Sequence, residues 1–297
     1  MMSAAGEKFL VSISSPLELT LVYHIKSQSS EDLGNAIQAP VSTLCSRGFE
    51  PKTIFVDPHR TNLSLENAYP GIAIDATGVG DHLEKLDSKV RRIKEMMRSV
   101  IAGLPYKISK NRIKDLATYV VSRINLKQTQ ALNDNLAPRV KFTGVQPDFN
   151  KEYGLSFGNY VECYDPKSHQ ESNNILMPRT EPCIALYPSA NCKGSWMFLN
   201  LNTGSYVCRS QWKKLPVNGL VVKKMDELAV DQLITTADFG EEEPGSMTEE
   251  RTLPTTHIPP NDADVIMTQE EMMVEQTVED ISMPELMDQD KDVDSES

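Results

Sequence analysis

Two aspartates, Asp57 and Asp87, have the type and placement needed to hold divalent metal ions. Phosphoryl transfer at a two-metal site uses carboxylates that converge on ions about 3.5–4 Å apart. Hard cations such as Mg²⁺ prefer these oxygen ligands. Asp57 ends an apolar strand pattern and Asp87 lies in a helical pattern, so the pair could supply part of such a site. Aspartates in these two places are also common in α/β domains, so an ordinary structural role is the alternative.

Basic residues accompany Asp87 on its predicted helix, which runs from Asp81 to about Ala102 and stops at Gly103. Cations follow Asp87 at positions i+4, i+7 and i+11 and share its face. The basic candidates are Lys89, Arg91, Arg92, Lys94 and Arg98 on this helix, and Lys107, Lys110, Arg112 and Lys114 just after it. These two clusters predict contacts with nucleic-acid phosphates, and a solvated helix face is the alternative reading.

Apolar periodicity indicates the elements that position these residues. On the predicted helix, apolar side chains fall within one narrow sector at about 100° per residue. They are Leu83, Leu86, Val90, Ile93, Met97 and Ile101. Residues 8–25 read as a strand pair divided at Ser15-Pro16, residues 53–57 as a short buried strand, and residues 111–124 as a second helix. Strands alternating with helices predict an α/β fold.

The pattern changes to short strands between residues 155 and 215, with a hairpin turn at 202–204. Four or five such strands predict a small β-barrel or a curled sheet. Basic residues here are interleaved with aromatic ones, although core packing is the favoured role for Trp196 and Trp212. Neither the Gly78-Val79-Gly80 loop nor the histidines and cysteines have the spacing of a phosphate-binding loop or a zinc site.

Charge divides the chain into a basic front and an acidic tail. Residues 231–297 carry 20 acidic and 2 basic side chains, and the preceding residues carry 22 acidic and 28 basic. The tail has few aromatic residues, so we expect it to be disordered and able to recruit protein partners by folding on binding. Five scattered cysteines and no long apolar run predict an intracellular protein, nuclear or cytoplasmic, without a membrane partner.

Several segments carry a family resemblance. FLVSISSPLELTLV, RGFEPKTIFVD, GVGDHLEKLDSKVRRIKE and FGNYVECYDP are followed by MPRTEPCIALYPSANCKGSWMFLNLNTGSYVCRSQWKKLPV. Together they resemble the integrase region of copia-type retrotransposon polyproteins. The resemblance spans roughly residues 7–230 and is most specific from Phe157 to Pro216.

The resemblance implies a ribonuclease H-like mixed sheet with flanking helices, followed by a small all-β barrel-like domain. The implied divisions are a truncated integrase core at 7–130, a linker at 131–152, a β domain with a short C-terminal helix at 153–230, and the tail at 231–297. It also implies Mg²⁺ or Mn²⁺ as cofactor, retroelement ends and target DNA as partners, and a possible homo-oligomer. The family's metal ligands are two aspartates and a glutamate, and Asp57 falls on the second aspartate.

Two departures from the family bear on activity. Asp87 stands where the family has glutamate, and the first aspartate would fall about nine residues before Phe9, ahead of Met1. The family's upstream zinc module has no counterpart here. We therefore expect a nucleic-acid-binding integrase fragment that is catalytically incomplete alone. The alternative is a host-adopted, non-catalytic protein that recruits partners through its acidic tail.

Overall fold

The computed structural model describes residues 1–27, 29–56, 71–76, 84–128, 135–165, 178–189 and 194–229. The chain divides into two units, Met1–Glu243 and Pro244–Ser297, and all described residues belong to the first. That unit is a mixed α/β structure with several sheets and helices. Predictions for Asp57, for the loop at 77–80 and for the tail at 231–297 lie outside the described residues.

Three antiparallel strands open the chain: β1 (Met2–Ala4), β2 (Glu7–Ile13) and β3 (Thr20–Ile25), in the order β1-β2-β3. The predicted strand pair at 8–25 is confirmed as β2 and β3. Phe9 and Val11 alternate towards the core, as expected for strands with one buried face. Strand β1 was not predicted, because its small and unbranched side chains have no β propensity to detect.

Helix α1 (Ser30–Cys45) packs against two different sheets. Strands β4 (Thr53–Val56) and β5 (Ala73–Ala76) form a separate parallel pair. Leu33 and Ile37 of α1 pack with Leu10 of β2 and with Ile54 and Ile74 of the parallel pair. Within the described ranges, side-chain packing on α1 therefore joins the two sheets and no backbone ladder connects them. A single ribonuclease H-like mixed sheet remains a prediction.

Helices α2 (Glu84–Ala102) and α3 (Ile113–Ile124) follow, joined by a loop whose last residues, Lys110–Arg112, form a 3-10 turn. The predicted apolar stripe of α2 is confirmed for its described members. Ile93 and Met97 are fully buried, and the other described members of the stripe pack against the same core. Leu83 lies outside the described residues. Helix α3 buries most of its surface, which places it inside the unit.

The second half contains α4 (Pro138–Thr143), α5 (Phe149–Tyr153), five strands and α6 (Gly219–Ala229). The strands are β6 (Tyr160–Tyr164), β7 (Thr180–Pro188), β8 (Trp196–Asn200), β9 (Tyr206–Arg209) and β10 (Trp212–Lys214). They pair antiparallel in the order β10-β6-β7-β8-β9.

This five-stranded sheet is open, which corrects the predicted β-barrel. In the described part of the chain, its outer strands β9 and β10 do not pair with each other. Helix α3 contacts β7 and covers the apolar face of the sheet. Because a helix already buries that face, the sheet gains nothing by closing on itself.

One continuous hydrophobic core joins the two halves of the first unit. Phe9, Ile93 and Leu116 belong to the same buried cluster as Val161 and Trp196. The predicted division into domains at 7–130 and 153–230 remains a prediction. No helix in the described ranges has both the length and the apolar character needed to cross a membrane.

Candidate nucleic-acid interface

Helix α2 directs its cations to two different flanks. At about 100° per residue, its buried stripe is centred on Ile93 and its outer face on Glu84 and Glu95. On one side of that acidic ridge lie Asp87, Arg91, Lys94 and Arg98, which we call the Asp87 flank. On the other side lie Lys85, Lys89 and Arg92, which we call the Glu18 flank. The predicted cationic row is thus two groups separated by carboxylates.

The Glu18 flank is opposed by an acid from the β2–β3 connection. Lys85 Nζ lies 2.5 Å from Glu18 Oε1. The hydrogen bond from Lys85 lowers the pKa of Glu18 below its ordinary 4.5, and the charge of Lys89 acts in the same direction. Lys85 therefore forms an ion pair within the fold, and the charge of Lys89 acts on the same acid. Lys89, predicted to bind nucleic acid, is half-buried on this side.

The Asp87 flank combines one carboxylate with three cations on a strip about 60° wide. Arg91 is exposed, and its Nε lies 4.0 Å from Glu95, a separation that contributes little attraction in water. Lys94 and Arg98 are half-buried beside it. The Nε of Arg98 is buried and has no hydrogen-bond partner among the described residues. This flank is the part of α2 best suited to hold phosphate oxygens near Asp87.

Only one of the two predicted metal ligands can be placed. Asp87 is exposed in the first turn of α2, where a negative charge also stabilises the helix dipole. Asp57 lies outside the described residues, so its distance to Asp87 is not defined. The described residues contain no group of three or more histidine, cysteine, aspartate or glutamate side chains placed to hold a metal. Asp57 and Asp87 as ligands of Mg²⁺ or Mn²⁺ therefore remain a prediction.

Arg112 contacts the protein itself, at a site that the sequence did not reveal. Its Nη1 lies 3.3 Å from Asp115 Oδ2, and its guanidinium lies 4.9 Å from the centre of the Tyr206 ring. The Tyr206 hydroxyl donates to the same carboxylate oxygen at 2.8 Å. Burial raises the pKa of Asp115 above its ordinary 3.8, while the Tyr206 and Arg112 contacts oppose that shift. Contacts among Arg112, Asp115 and Tyr206 therefore hold the start of α3 against β9.

The three lysines of the second basic cluster have two different environments. Lys107 is exposed, and its backbone N–H donates to Asp226 Oδ1 of α6 at 3.0 Å. Lys110 and Lys114 line a shallow cavity of about 100 Å³ together with Glu7, His24 and Asn111. We call this cavity the lysine cleft. It lies between the start of α3 and the β2–β3 pair, so two predicted phosphate-binding residues do meet in one concave site.

Aromatic and basic residues of the second half have mainly structural contacts. Trp196 is 1% exposed, which confirms core packing for that side chain. Its neighbour Arg123 lies near three aromatic rings, those of Tyr119, Tyr153 and Trp196, and donates to the carbonyls of Glu152 and Leu155. Tyr119 lies four positions before Arg123 on α3, but Tyr153 and Trp196 lie in other elements, so no local pattern identified this arrangement.

Comparison with known proteins gives a distant likeness among solved structures. No protein-family model matches the chain, and no curated protein matches it. Among solved structures, it is similar to a chain in the complex of the simian T-cell lymphotropic virus intasome with PP2A regulatory subunit B56 gamma. That similarity has 14% sequence identity, covers 71% of this chain and 76% of that chain, and has a TM-score of 0.34. Similarity this low does not assign a function or site residues to this chain.

Proposed function

We propose that this chain is an integrase-derived nucleic-acid-binding protein that belongs to DNA strand-transfer machinery. The observation that carries the proposal is the Asp87 flank, where a carboxylate lies beside Arg91, Lys94 and Arg98 on one side of α2. Cations in such a strip hold backbone phosphates, which positions DNA without reading its sequence. The resemblance of residues 7–230 to copia-type integrases supports the same assignment.

In this proposal Asp87 and Asp57 are the residues that would hold Mg²⁺ or Mn²⁺. A pair of such ions stabilises the attacking and leaving oxygens of a phosphodiester. Aspartate is one methylene shorter than the glutamate of the family motif, so its carboxylate falls short by roughly 1 Å, while catalytic geometry tolerates about 0.5 Å. We therefore propose DNA binding without efficient strand transfer for the isolated chain.

The test is the salt dependence of duplex DNA binding by the full chain. Each phosphate contact contributes about 0.9 to the slope of log affinity against log salt. The variant Arg91→Gln/Lys94→Gln should lower that slope by nearly 2 and weaken binding to all sequences alike. The matched control is Lys223→Gln/Lys224→Gln, which removes two exposed charges from α6 and should leave the slope unchanged.

Equal losses in both double variants would contradict the assignment to α2, because they would indicate attraction to overall charge. Absence of DNA binding at any salt concentration would refute the proposed function. Capture of a protein partner that depends on residues 231–297, with no DNA binding, would favour the interaction-protein alternative.

A further inference from the structure

The lysine cleft is a concave polar site outside the Asp87 flank. Its walls come from the first residue of β2, from His24 on β3, and from the turn that leads into α3 together with the first turn of α3. At about 100 Å³ it is several times larger than the roughly 10–15 Å³ that a single water molecule needs. A tetrahedral anion fits this size better than an extended ligand.

The charges in the cleft favour an anion. Lys110 and Lys114 contribute two ammonium groups, and the Asn111 carboxamide supplies a further donor. Glu7 is the one acid among the described residues that line the cleft, and its hydrogen bond to the His24 imidazole occupies one of its oxygens. His24 is also held by an edge contact with the Phe9 ring, with centroids 5.6 Å apart. Among these described lining residues a metal cation would meet two positive charges and one carboxylate, which disfavours cation binding.

We propose that the lysine cleft binds a phosphate group, held by Lys110, Lys114 and Asn111, with the Glu7–His24 pair forming the opposite wall. The inference deepens the proposed function and rests on it for the natural ligand, which would be a phosphate of nucleic acid. It differs from general attraction to a basic surface, because only the lysines that line the cleft should contribute. Lys107 lies three residues before Lys110, is exposed and does not line the cleft.

The experiment measures binding of inorganic pyrophosphate to the full chain by calorimetry. Lys114→Ala should weaken binding roughly tenfold, since it removes one charge-assisted hydrogen bond. The matched control Lys107→Ala should change the affinity less than twofold, within the error expected for a distant charge. Glu7→Gln should strengthen binding, because it removes a negative charge from the cleft wall and keeps the side-chain shape. Equal urea midpoints of all variants would show that folding is unaffected.

Two results would overturn the inference: pyrophosphate binding that is not saturable, or a loss in Lys107→Ala as large as that in Lys114→Ala. The source of the phosphate is found by competition with an oligonucleotide carrying either a 5′-phosphate or a 5′-hydroxyl. Displacement by both forms indicates a backbone phosphate, displacement by the first alone indicates a terminal phosphate, and displacement by neither indicates a small phosphorylated ligand. Arg91→Gln/Lys94→Gln should retain pyrophosphate binding, so failure of the cleft and failure of the proposed function can be distinguished.

Discussion

Substitution of Arg112 tests whether this arginine stabilises the fold or binds DNA. In Arg112→Met the charge is lost and the apolar stem is kept. The change removes an ion pair of 3.3 Å with Asp115 and a cation–π contact of 4.9 Å with Tyr206. Asp115 is 3% exposed, so water cannot readily replace the lost donor.

The expected loss of stability follows from these contacts. A hydrogen bond to a charged group contributes about 1.5–3 kcal/mol, and a cation–π contact about 0.5–1 kcal/mol. The Tyr206 hydroxyl continues to donate to Asp115, so the carboxylate is not left without a partner. We therefore expect the free energy of unfolding to fall by about 2–3 kcal/mol, below the roughly 3–5 kcal/mol for breaking a fully buried pair.

The assay combines urea unfolding with the salt dependence of DNA binding. With a typical urea slope of roughly 2–3 kcal/mol per molar, the midpoint should fall by about 1 M. The slope of log affinity against log salt should not change. The control Arg91→Met should behave in the opposite way, with an unchanged midpoint and a salt slope lowered by about 1. A stable Arg112→Met protein with a lowered salt slope would refute the assignment of Arg112 to the fold.

Three further predictions concern buried contacts. In the folded protein the pKa of Asp115 is raised above its ordinary 3.8. The protonated carboxyl of Asp115 therefore stabilises the fold below that pH, and this contribution is lost as the pH rises through the folded pKa. The difference in unfolding free energy between wild type and Asp115→Asn should therefore decrease as pH rises above about 4, and a difference that increases would contradict this. Asn125→Ala removes hydrogen bonds to both backbone groups of Thr20, and should cost about 2–3 kcal/mol in urea unfolding; a loss below about 0.5 kcal/mol would show that water replaces them. In Gly158→Ala the new Cβ would lie 2.2 Å from a leucine methyl carbon at a φ of +84°, whereas Gly204→Ala has a φ of +70° and open space. Gly158→Ala should therefore lower the thermal midpoint more than Gly204→Ala, and equal shifts would contradict this.

Local patterns were sufficient to predict most helices and strands. The apolar spacing of Ile93 and Met97 depends only on the helix period, and both are buried as expected. The turn at 202–204 precedes β9, with Gly204 at positive φ, as its sequence predicts. Helices α4 and α5 lie in a region read as a linker, because each is too short for periodicity to show.

Contacts between distant segments could not be predicted in this way. Arg112 and Lys114 are alike in type and two positions apart, but only Arg112 reaches Asp115 and Tyr206. Tyr206 is 91 residues from Asp115, so no local pattern connects them. The same limit applies to Glu18, whose position beside Lys85 decides which flank of α2 is opposed by an acid. The open form of the five-stranded sheet could not be predicted for the same reason, because only the folded structure shows that α3 covers its apolar face.

The most direct test of the central claim is a photo-crosslink between α2 and DNA. A photoreactive side chain placed at Glu95 lies within about 40° of Arg91 around the helix and removes no cation. Glu227, an exposed glutamate on α6, is the matched control position. We expect the full chain to crosslink to a labelled DNA duplex from position 95 and not from position 227. A crosslink from position 227 alone, or none from position 95 under conditions where the protein binds DNA, would contradict it.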